Sequence, residues 1–529
     1  MKKERSILFF SLILFAALST ESFAKTPSLS EIIDQIPSGE GMTTAPFENF
    51  TEIAGGKQRY LYSKPKAKLS AKPKTVKPPP RADSVPRYYP LRPFNPLTEM
   101  IQKNYGHGLS VSKKMEPAVD FWRNVYARYE LNQTILHDNR DMSLVYGILD
   151  FSDLDADFSL SDAQRRAIRA AVEADKKEEL RAMLLRFQSG HVPETAGEEW
   201  VFGFFKNIPG PEKFAKAAGR IRAQWGQKDR FAAGLVRAGR YMPMMEEIFI
   251  RNGVPKEITN LVFVESMFNL KAFSKVGAAG PWQFMPATAK LYMTINATVD
   301  ERLDPLIAAQ AAARFLLKNH EIAGTWPLAI NGYNTGILRM VKARDRLGTH
   351  DISVIIENFN DPGYQFASRN FFPEFMAALE VAVHHKDYFG ELVFDEPLPF
   401  DEIILPYHAS FQELSRATGT DVGVLRDLNP AYYEKNFEPH VFIPKGYTLR
   451  VPHRQKMVFL AALDQAHNHD SDSRWHRVGK GESLKLIAQR YQISLDLLKE
   501  SNGLLSNRIE KGHLLKIPGE PPAIVLETH

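Results

Sequence analysis

One acidic residue, Glu265, falls on the apolar face of a predicted helix. Pro255 suits the first position of that helix, because proline lacks an amide hydrogen that the first turn would leave unbonded. Ile258, Leu261 and Val262 follow at helical spacing, and Glu265 continues the same stripe one turn later. A carboxyl group buried without a cationic partner has a raised pKa and can donate a proton near neutral pH. The residue is therefore a candidate general acid. The alternative is an ordinary acid that pairs with an arginine or reaches solvent.

Two glycine-containing turns follow this acid in the sequence. The first, 276–283, contains Gly-x-x-Gln, and the second, 331–336, reads Asn-Gly-Tyr-Asn-Thr-Gly. Glycine lets the backbone approach a ligand closely. A Glu-Ser pair, a Gly-x-x-Gln turn and a Gly-Tyr-Asn turn in this order resemble the soluble lytic transglycosylase family, whose domain is a helical relative of goose-type lysozyme. The resemblance covers residues 230–390, and the surrounding sequence is similar to the murein transglycosylase D branch, which carries C-terminal LysM modules.

The resemblance implies a role for each motif residue. Glu265 is implied to be the acid and base of glycosidic bond cleavage, and no cofactor or metal is implied. The side chains implied to line the cleft around the sugar are Ser266, Ser274, Gln283, Met285, Tyr333 and Asn334. The implied partners are peptidoglycan glycan strands of N-acetylglucosamine and N-acetylmuramic acid, and we expect no nucleic acid partner.

Three positions depart from the family's pattern. Pro281 replaces an aliphatic residue, and Gly332 replaces the alanine before Tyr-Asn. Residues 368–372 read Ser-Arg-Asn-Phe-Phe where many relatives have Glu-Thr-x-x-Tyr. The last departure removes polar groups expected near the cleft, so it affects the preference of the sugar subsites and leaves the core reaction unchanged.

The number of catalytic carboxylates separates two reaction classes. Retaining and inverting glycosidases normally use two of them, whereas the motifs supply one. One acid suffices if the C6 hydroxyl of N-acetylmuramic acid attacks C1, because an intramolecular attack has a large effective-concentration advantage. The alternatives are a lysozyme-type hydrolase, in which Asp300, Glu301 or Asp304 activates water, and a non-catalytic wall-binding protein. Acids at these positions also suit the start of the alanine-rich helical run 307–317.

The N-terminal residues predict export and a mobile tether. Residues 1–24 have a basic start, an apolar core and a small-x-small cleavage site, which are typical of a secretory signal, and an uncleaved anchor is the alternative. Residues 25–95 are rich in Pro and Lys, and between Lys57 and Arg92 eleven basic residues accompany one acid, in a chain of net charge +5. Such a segment is extended, and it is suited either to contact with anionic wall polymer or membrane or to the role of a solvated linker.

The chain contains no cysteine, which restricts its chemistry and its location. Disulfides, thiol nucleophiles, Cys-ligated metals and the acylated cysteine of a lipoprotein are all excluded. His384, His385 and Asp387 cluster without a recognisable metal-ligand spacing. We therefore expect a periplasmic or secreted monomer without a metal.

The remaining patterns predict a multidomain, mainly α-helical protein. Residues 96–230 are expected to form a helical N-terminal extension, in which Ser161-x-x-Gln164 is a capping box. Residues 231–390 are expected to form the lysozyme-like catalytic domain. C-terminal α+β modules follow.

Two C-terminal segments share one order of motifs. Residues 473–520 resemble a LysM module, a βααβ unit that binds glycans containing N-acetylglucosamine. The residues implied to contact glycan are Gly481, Glu482, Ser483, Leu484 and Ile509. Residues 400–452 repeat the order, with Asn429 matching Asn502 and with seven extra residues before the next matched glycine. This copy is expected to be a degenerate LysM-like module whose sugar binding is open.

Overall fold

The computed structural model describes residues 89–438, 441–468, 474–504 and 506–518. These residues form a mainly α-helical protein with small antiparallel sheets, as the predicted fold class requires. The signal predicted at 1–24 and most of the predicted tether lie outside the described residues. In the described part of the chain, no helix is long and apolar enough to cross a membrane.

The N-terminal extension contains a three-stranded antiparallel sheet, so the prediction of a wholly helical extension is wrong. Its elements are α1 (Glu116–Ala127), β1 (Gln133–Asp138), β2 (Val145–Asp150), α2 (Ser152–Asp155), α3 (Asp162–Gln188), α4 (Ala196–Gly203), α5 (Lys213–Ala218) and β3 (Ile221–Trp225). The sheet order is β2-β1-β3. Because β1 and β2 are buried on both faces, they lack the alternation that distinguishes a strand from a helix. The predicted capping box of Ser161 and Gln164 is confirmed at the start of α3.

The last residues assigned to the tether belong to the fold. Arg92 and Ile148 exchange two backbone hydrogen bonds of 2.8 Å, which adds residue 92 to the edge of β2. Tyr89 is buried, and its ring centroid lies 4.9 Å from that of Phe151. The boundary predicted at residue 95 is therefore corrected to a position before Tyr89.

The region predicted to be the catalytic domain, named the catalytic region hereafter, consists of helices around one buried helix, α14. The helices are α6 (Lys228–Ala238), α7 (Met242–Arg251), α8 (Leu261–Ser266), α9 (Pro286–Ala289), α10 (Pro305–Ala323), α11 (Trp326–Thr335), α12 (Ile337–Leu347), α13 (Ile352–Asn358), α14 (Phe366–Val383) and α15 (His385–Phe389). Short 3-10 helices occupy Lys256–Asn260 and Glu301–Leu303. The helix predicted after Pro255 therefore begins as a 3-10 helix and continues as α8. α14 is buried along most of its length, and it packs against α1, α8 and α11.

Two βααβ modules follow the catalytic region. Their elements are β4 (Phe400–Ile404), β5 (Ala409–Ser410), α16 (Phe411–Thr418), α17 (Val422–Leu428), a 3-10 helix (Glu434–Phe437), β6 (Phe442–Ile443), β7 (Thr448–Pro452), α18 (Lys456–Asn468), β8 (Arg474–Arg477), α19 (Leu484–Arg490), α20 (Leu495–Ser501) and β9 (Leu514–Ile517). In each module the first and last strands pair antiparallel, β4 with β7 and β8 with β9. The opening strand of the first copy is β4.

Asn429 and Asn502 make the same hydrogen bonds in the two modules. Asn429 joins β7 through Arg450, whose backbone N donates to its Oδ1 at 2.8 Å and whose O accepts from its Nδ2 at 2.7 Å. Asn502 joins β9 through the backbone of Lys516 in the same way, at 2.7 and 2.8 Å. The predicted equivalence of the two asparagines is therefore confirmed.

A buried ion pair fixes the first module against the catalytic region. Arg450 donates to both carboxylate oxygens of Asp304, at 2.5 and 3.2 Å, and both side chains are buried. Beside this pair, the backbone N of Asp300 donates to Ala431 O at 2.8 Å. The described residues accordingly belong to one compact unit.

Replacing Arg450 by Ala should lower the free energy of unfolding by about 3 kcal/mol, because it leaves the Asp304 carboxylate buried without its cation. Chemical denaturation followed by circular dichroism measures the change. Arg416→Ala is the control: that residue is exposed in the same module, so its loss should change the free energy by less than about 0.5 kcal/mol. Equal effects of the two substitutions would contradict the role assigned to the buried pair.

Candidate active site

Glu265 lies near the C-terminal end of α8, where the chain turns sharply. Met267 and Phe268 have left-handed backbone, with φ of 51° and 56°, which non-glycine residues rarely adopt and which ends the helix. The Glu265 side chain keeps partial exposure, and among the described residues no cation pairs with it. Burial, together with a smaller effect of the Glu374 charge, raises the pKa of Glu265 to about 8. The candidate acid therefore holds its proton at neutral pH.

The three sequence motifs meet at two consecutive carbonyl groups. Ser266 Oγ donates to Pro281 O at 2.8 Å, and the Tyr333 hydroxyl donates to Trp282 O at 2.8 Å. The Glu-Ser pair, the glycine turn and the Tyr-Asn turn are thereby brought together. Because Ser266 and Tyr333 donate their hydroxyl protons to the backbone, they hold the glycine turn in place beside Glu265.

The glycine turn is also held from within. Gly280 has φ +76°, and a Cβ atom there would lie 1.7 Å from Arg302 O, so glycine is required. Gln283 has a left-handed backbone (φ 47°), and its Nε2 donates to Gly280 O at 2.8 Å. Ser274 Oγ accepts from Ala278 N at 2.8 Å. Ser274 and Gln283, both predicted to line the cleft, therefore stabilise the turn, and both remain partly exposed.

Asn334 is the predicted cleft residue with an unbonded acceptor. Its Oδ1 is buried and has no hydrogen-bond partner in the described part of the chain. A buried amide oxygen without a partner costs free energy unless a ligand or water bonds to it. Met285, immediately before α9, is partly exposed. Asn334 and Met285 are thus the predicted residues best placed to contact a sugar directly.

The unusual glycine in the Tyr-Asn turn has a packing reason. A Cβ atom at Gly332 would lie 2.9 Å from Ile337 Cδ1 and 3.2 Å from Ile337 Cα. Ile337 begins α12 directly after the turn at Gly336, whose φ is +86°. The close approach of α12 therefore favours glycine over the alanine of the family pattern.

A second buried acid, Glu374, was missed by the sequence reasoning. It lies on α14, which packs against α8, and 5% of its surface is exposed. The Tyr126 hydroxyl donates to Glu374 Oε1 at 2.6 Å. Burial raises the pKa of Glu374 to about 8, although the bond from Tyr126 and the charge of Arg222 oppose the rise. The site therefore contains two neighbouring carboxyl groups that are both protonated at neutral pH.

A signal for this acid was present in the sequence. Glu374 interrupts an apolar run, FFPEFMAAL at 371–379, in a helix that is apolar on nearly all sides. Such a helix is buried, so an acid within it is buried as well. The segment 368–372, which departs from the family's pattern, ends two residues before this acid.

The acids at 300–304 are engaged in pairing and capping. Asp300 accepts from the Arg302 guanidinium at 2.9 and 2.8 Å. Asp304 accepts from the first amides of α10 at 3.0 Å and also pairs with Arg450. Glu301 accepts from Thr294 N at 2.5 Å. Their interpretation as helix-start charges is confirmed for Asp300 and Asp304, and none of the three is an unengaged carboxylate that could activate water.

The residues implied to contact glycan in the second module have structural roles as well. Glu482 accepts from Gly479 N at 2.6 Å, and this bond is the main reason that the pKa of Glu482 falls to about 2. Ser483 caps α19, and Leu484 and Ile509 pack in the core of the module. The loop after β8 is therefore held rigidly in one shape.

Fold and site together define a lysozyme-like helical domain joined to βααβ modules. Comparison with protein families agrees with this class. Residues 245–356 match the Transglycosylase SLT domain, and residues 476–518 match the LysM domain. The chain therefore contains a transglycosylase SLT domain and a LysM domain.

Similar proteins carry related names. Membrane-bound lytic murein transglycosylase D of Escherichia coli K12 is 25% identical over 292 residues, which are 53% of this chain and 64% of the relative. The protein of the same name from Escherichia coli O6:H1 strain CFT073 gives the same figures. A protein described as a tributyltin chloride resistance protein, from Alteromonas sp. strain M-1, is 34% identical over 102 residues, which are 19% of this chain and 49% of that protein. The chain thus spans 64% of the length of its Escherichia coli relatives.

Replacing Glu374 by Gln should move the alkaline limb of the pH–rate profile to lower pH. A general acid acts in its protonated form, so a reaction that uses Glu265 as its acid loses rate as the pH rises through the folded pKa of about 8. A neutral amide removes the negative charge that disfavours ionisation of Glu265, while burial still keeps its pKa above the ordinary value of about 4.3. Steady-state rates on soluble glycan strands, measured from acidic to alkaline pH, test this.

Glu380→Gln is the matched control for that experiment. Glu380 is also a buried acid of α14, but its carboxylate accepts from Ile101 N and the Tyr105 hydroxyl. Its replacement should leave the alkaline limb in place. An unmoved limb in Glu374→Gln would show that the two acids are not coupled.

Proposed function

We propose that this protein is a peptidoglycan lytic transglycosylase. It cleaves the β-1,4 bond between N-acetylmuramic acid and N-acetylglucosamine and leaves 1,6-anhydro-muramic acid ends. The observation that carries the proposal is the setting of Glu265, a partly exposed acid that no cation pairs with in the described part of the chain and whose pKa is raised by burial. Similarity to proteins named lytic murein transglycosylase supports the same conclusion.

In the proposed reaction, one residue handles both proton transfers. Glu265 donates its proton to the glycosidic oxygen as the bond from that oxygen to C1 of the muramic acid breaks. The C6 hydroxyl of the same sugar then bonds to C1, and its proton returns to the Glu265 carboxylate. Water is neither consumed nor released, and the nucleophile is held by its own ring close to C1. The unbonded Oδ1 of Asn334 is available to accept from a sugar hydroxyl or amide.

A lysozyme-type hydrolase is the competing function, and the charge states of the acids disfavour it. Hydrolysis needs a second, ionised carboxylate that attacks C1 or activates water. Glu374 is buried and protonated, and it already accepts a hydrogen bond from Tyr126. Asp300 and Asp304 are paired with arginines. Each of these three acids therefore lacks the free negative charge that the hydrolytic route needs.

We further propose that the LysM module holds the enzyme on the cell wall. We also propose that the protein acts as a monomer in the cell envelope. A tethered binding module raises the local concentration of substrate at the catalytic site. The basic residues between Lys57 and Arg92 suit additional contact with anionic wall polymer.

Replacing Glu265 by Gln should lower the rate of glycan cleavage by about a hundredfold or more, because a general acid is lost. The thermal stability of the variant, in contrast, should exceed that of the parent protein at high pH. The folded pKa, about 8, lies above the unfolded value, so the parent protein loses stability as the pH rises between them. The variant lacks that loss and should melt at a higher temperature than the parent above neutral pH.

Glu321→Gln, an exposed substitution on α10, serves as the control and should leave both cleavage and melting unchanged. Cleavage rates and thermal melts of the three proteins complete the test. Turnover of Glu265→Gln within tenfold of the parent would sink the assignment.

The products distinguish transglycosylation from hydrolysis directly. Digestion of purified cell-wall sacculi in heavy-oxygen water should give muropeptides one water lighter than hydrolytic products, with no label at C1, because the nucleophile belongs to the sugar. Mass spectrometry measures both properties, and a parallel lysozyme digest supplies the labelled reference. Label at the muramic acid C1 would mean that the protein is a hydrolase.

A further inference from the structure

A basic cavity lies at the N-terminal end of α14, outside the residues assigned to the sugar cleft. Its volume is about 750 Å³. Its lining includes two guanidinium groups, three amides, one acid and one aromatic ring, from Arg140, Arg369, Asn139, Asn360, Gln365, Asp361 and Phe366. This composition suits a small polar ligand with negative charge.

The two guanidinium groups have no carboxylate partner among the described residues. Arg369 is 9% exposed and donates to the carbonyls of Ile356 and Phe359. Arg140 is exposed and donates to Glu357 O at 3.3 Å. Burial, together with a smaller effect of the positive charge of Arg140, lowers the pKa of Arg369 to about 10. Hydrogen bonds to carbonyls satisfy the N–H groups but leave the two positive charges uncompensated.

The acid that lines the cavity does not cancel this charge. Asp361 lies 2.9 Å from Lys342 Nζ and 3.6 Å from Arg339 Nε, so two other cations already neutralise it. The first turn of α14 has no side-chain cap, and its free amides add partial positive charge at the same end of the helix. The cavity therefore carries a net positive charge.

The cavity adjoins the aromatic layer beneath the catalytic acid. The ring of Phe366 lies 6.3 Å from that of Trp122, which lies 6.0 Å from that of Tyr126, the hydrogen-bond donor to Glu374. Phe366 and Glu374 are on the same helix, and eight residues of helix rise about 12 Å. About four extended peptide residues span that distance.

We propose that this cavity binds a free carboxylate of the acidic peptide carried by the glycan strand. Arg140 pairs with the carboxylate in the planar, two-pronged geometry of a guanidinium, and Arg369 supplies a fixed charge at the base of the cavity. The proposal rests on the proposed function, because it takes a peptide-bearing glycan as the substrate. It makes the cavity a determinant of which peptide stems the enzyme accepts.

Binding to a non-cleaving protein tests the cavity separately from the reaction. Isothermal titration calorimetry on Glu265→Gln measures its affinity for muropeptides whose stem carboxylates are free or converted to amides. Amidation should weaken binding about tenfold, the effect expected for losing a charge-assisted pair. In the double variant with Arg140→Gln, both muropeptides should bind equally, at the weaker affinity. Arg346→Gln, an exposed cation of α12 outside the cavity, should keep the difference.

Three results would overturn the proposal. They are equal affinity for the free and amidated peptides, an undiminished preference in the Arg140→Gln background, and displacement of the peptide by inorganic phosphate at similar concentration, which would indicate a general anion site. A failure of the proposed function would give a different result. The parent enzyme would then release hydrolytic products or no products, while the binding preference for free carboxylates would persist.

Discussion

The buried ion pair of Arg302 and Asp300 is the interaction on which the geometry of the site depends. The Arg302 guanidinium binds Asp300 through two hydrogen bonds and also donates to Gly277 O at 2.8 Å and Phe284 O at 3.0 Å. One cation thus ties the two ends of the glycine turn to the segment before α10. The Arg302 carbonyl fills the space beside Gly280, which explains why this turn accepts only glycine there. The orientation of the two carbonyls that receive Ser266 and Tyr333 follows from this arrangement.

Beside this fixed turn, the exclusion of water determines the pKa values of the two acids in the site. Glu265 and Glu374 lie near each other on packed helices, and ionising either one places a negative charge in a region of low dielectric. Both acids therefore stay neutral at physiological pH. The partly exposed acid can exchange its proton with a substrate, whereas the buried one opposes ionisation of Glu265 once it has lost its own proton. A site of this kind is suited to proton donation and poorly suited to supplying a carboxylate nucleophile.

The two LysM-like modules share a fold but differ in how they are attached. The first is held by the buried pair of Asp304 and Arg450, and Ala431 and Tyr432, in its longer segment after Asn429, bond to the strand-like segment before α10. This copy is therefore built into the catalytic region. The second module contacts the first through the ring of Trp475, which lies 4.7 Å from those of His408 and Phe442, and through a 3.4 Å pair between exposed parts of Lys435 and Glu510. Exposed pairs of this kind contribute little stability.

The sequence alone determined the helical class, the repeat of the modules and the candidate acid, because these depend on local periodicity and on the order of short motifs. The capping box at Ser161 and the matched asparagines were predictable for the same reason. Only the tertiary structure decided that the extension contains a sheet, since strands buried on both faces have no distinctive period. It also decided that Glu374 adjoins Glu265, because these residues lie far apart in the chain and are brought together by the packing of α8 against α14. The proximity of the two acids affects the proton affinity of each, and no local sequence pattern encodes that proximity.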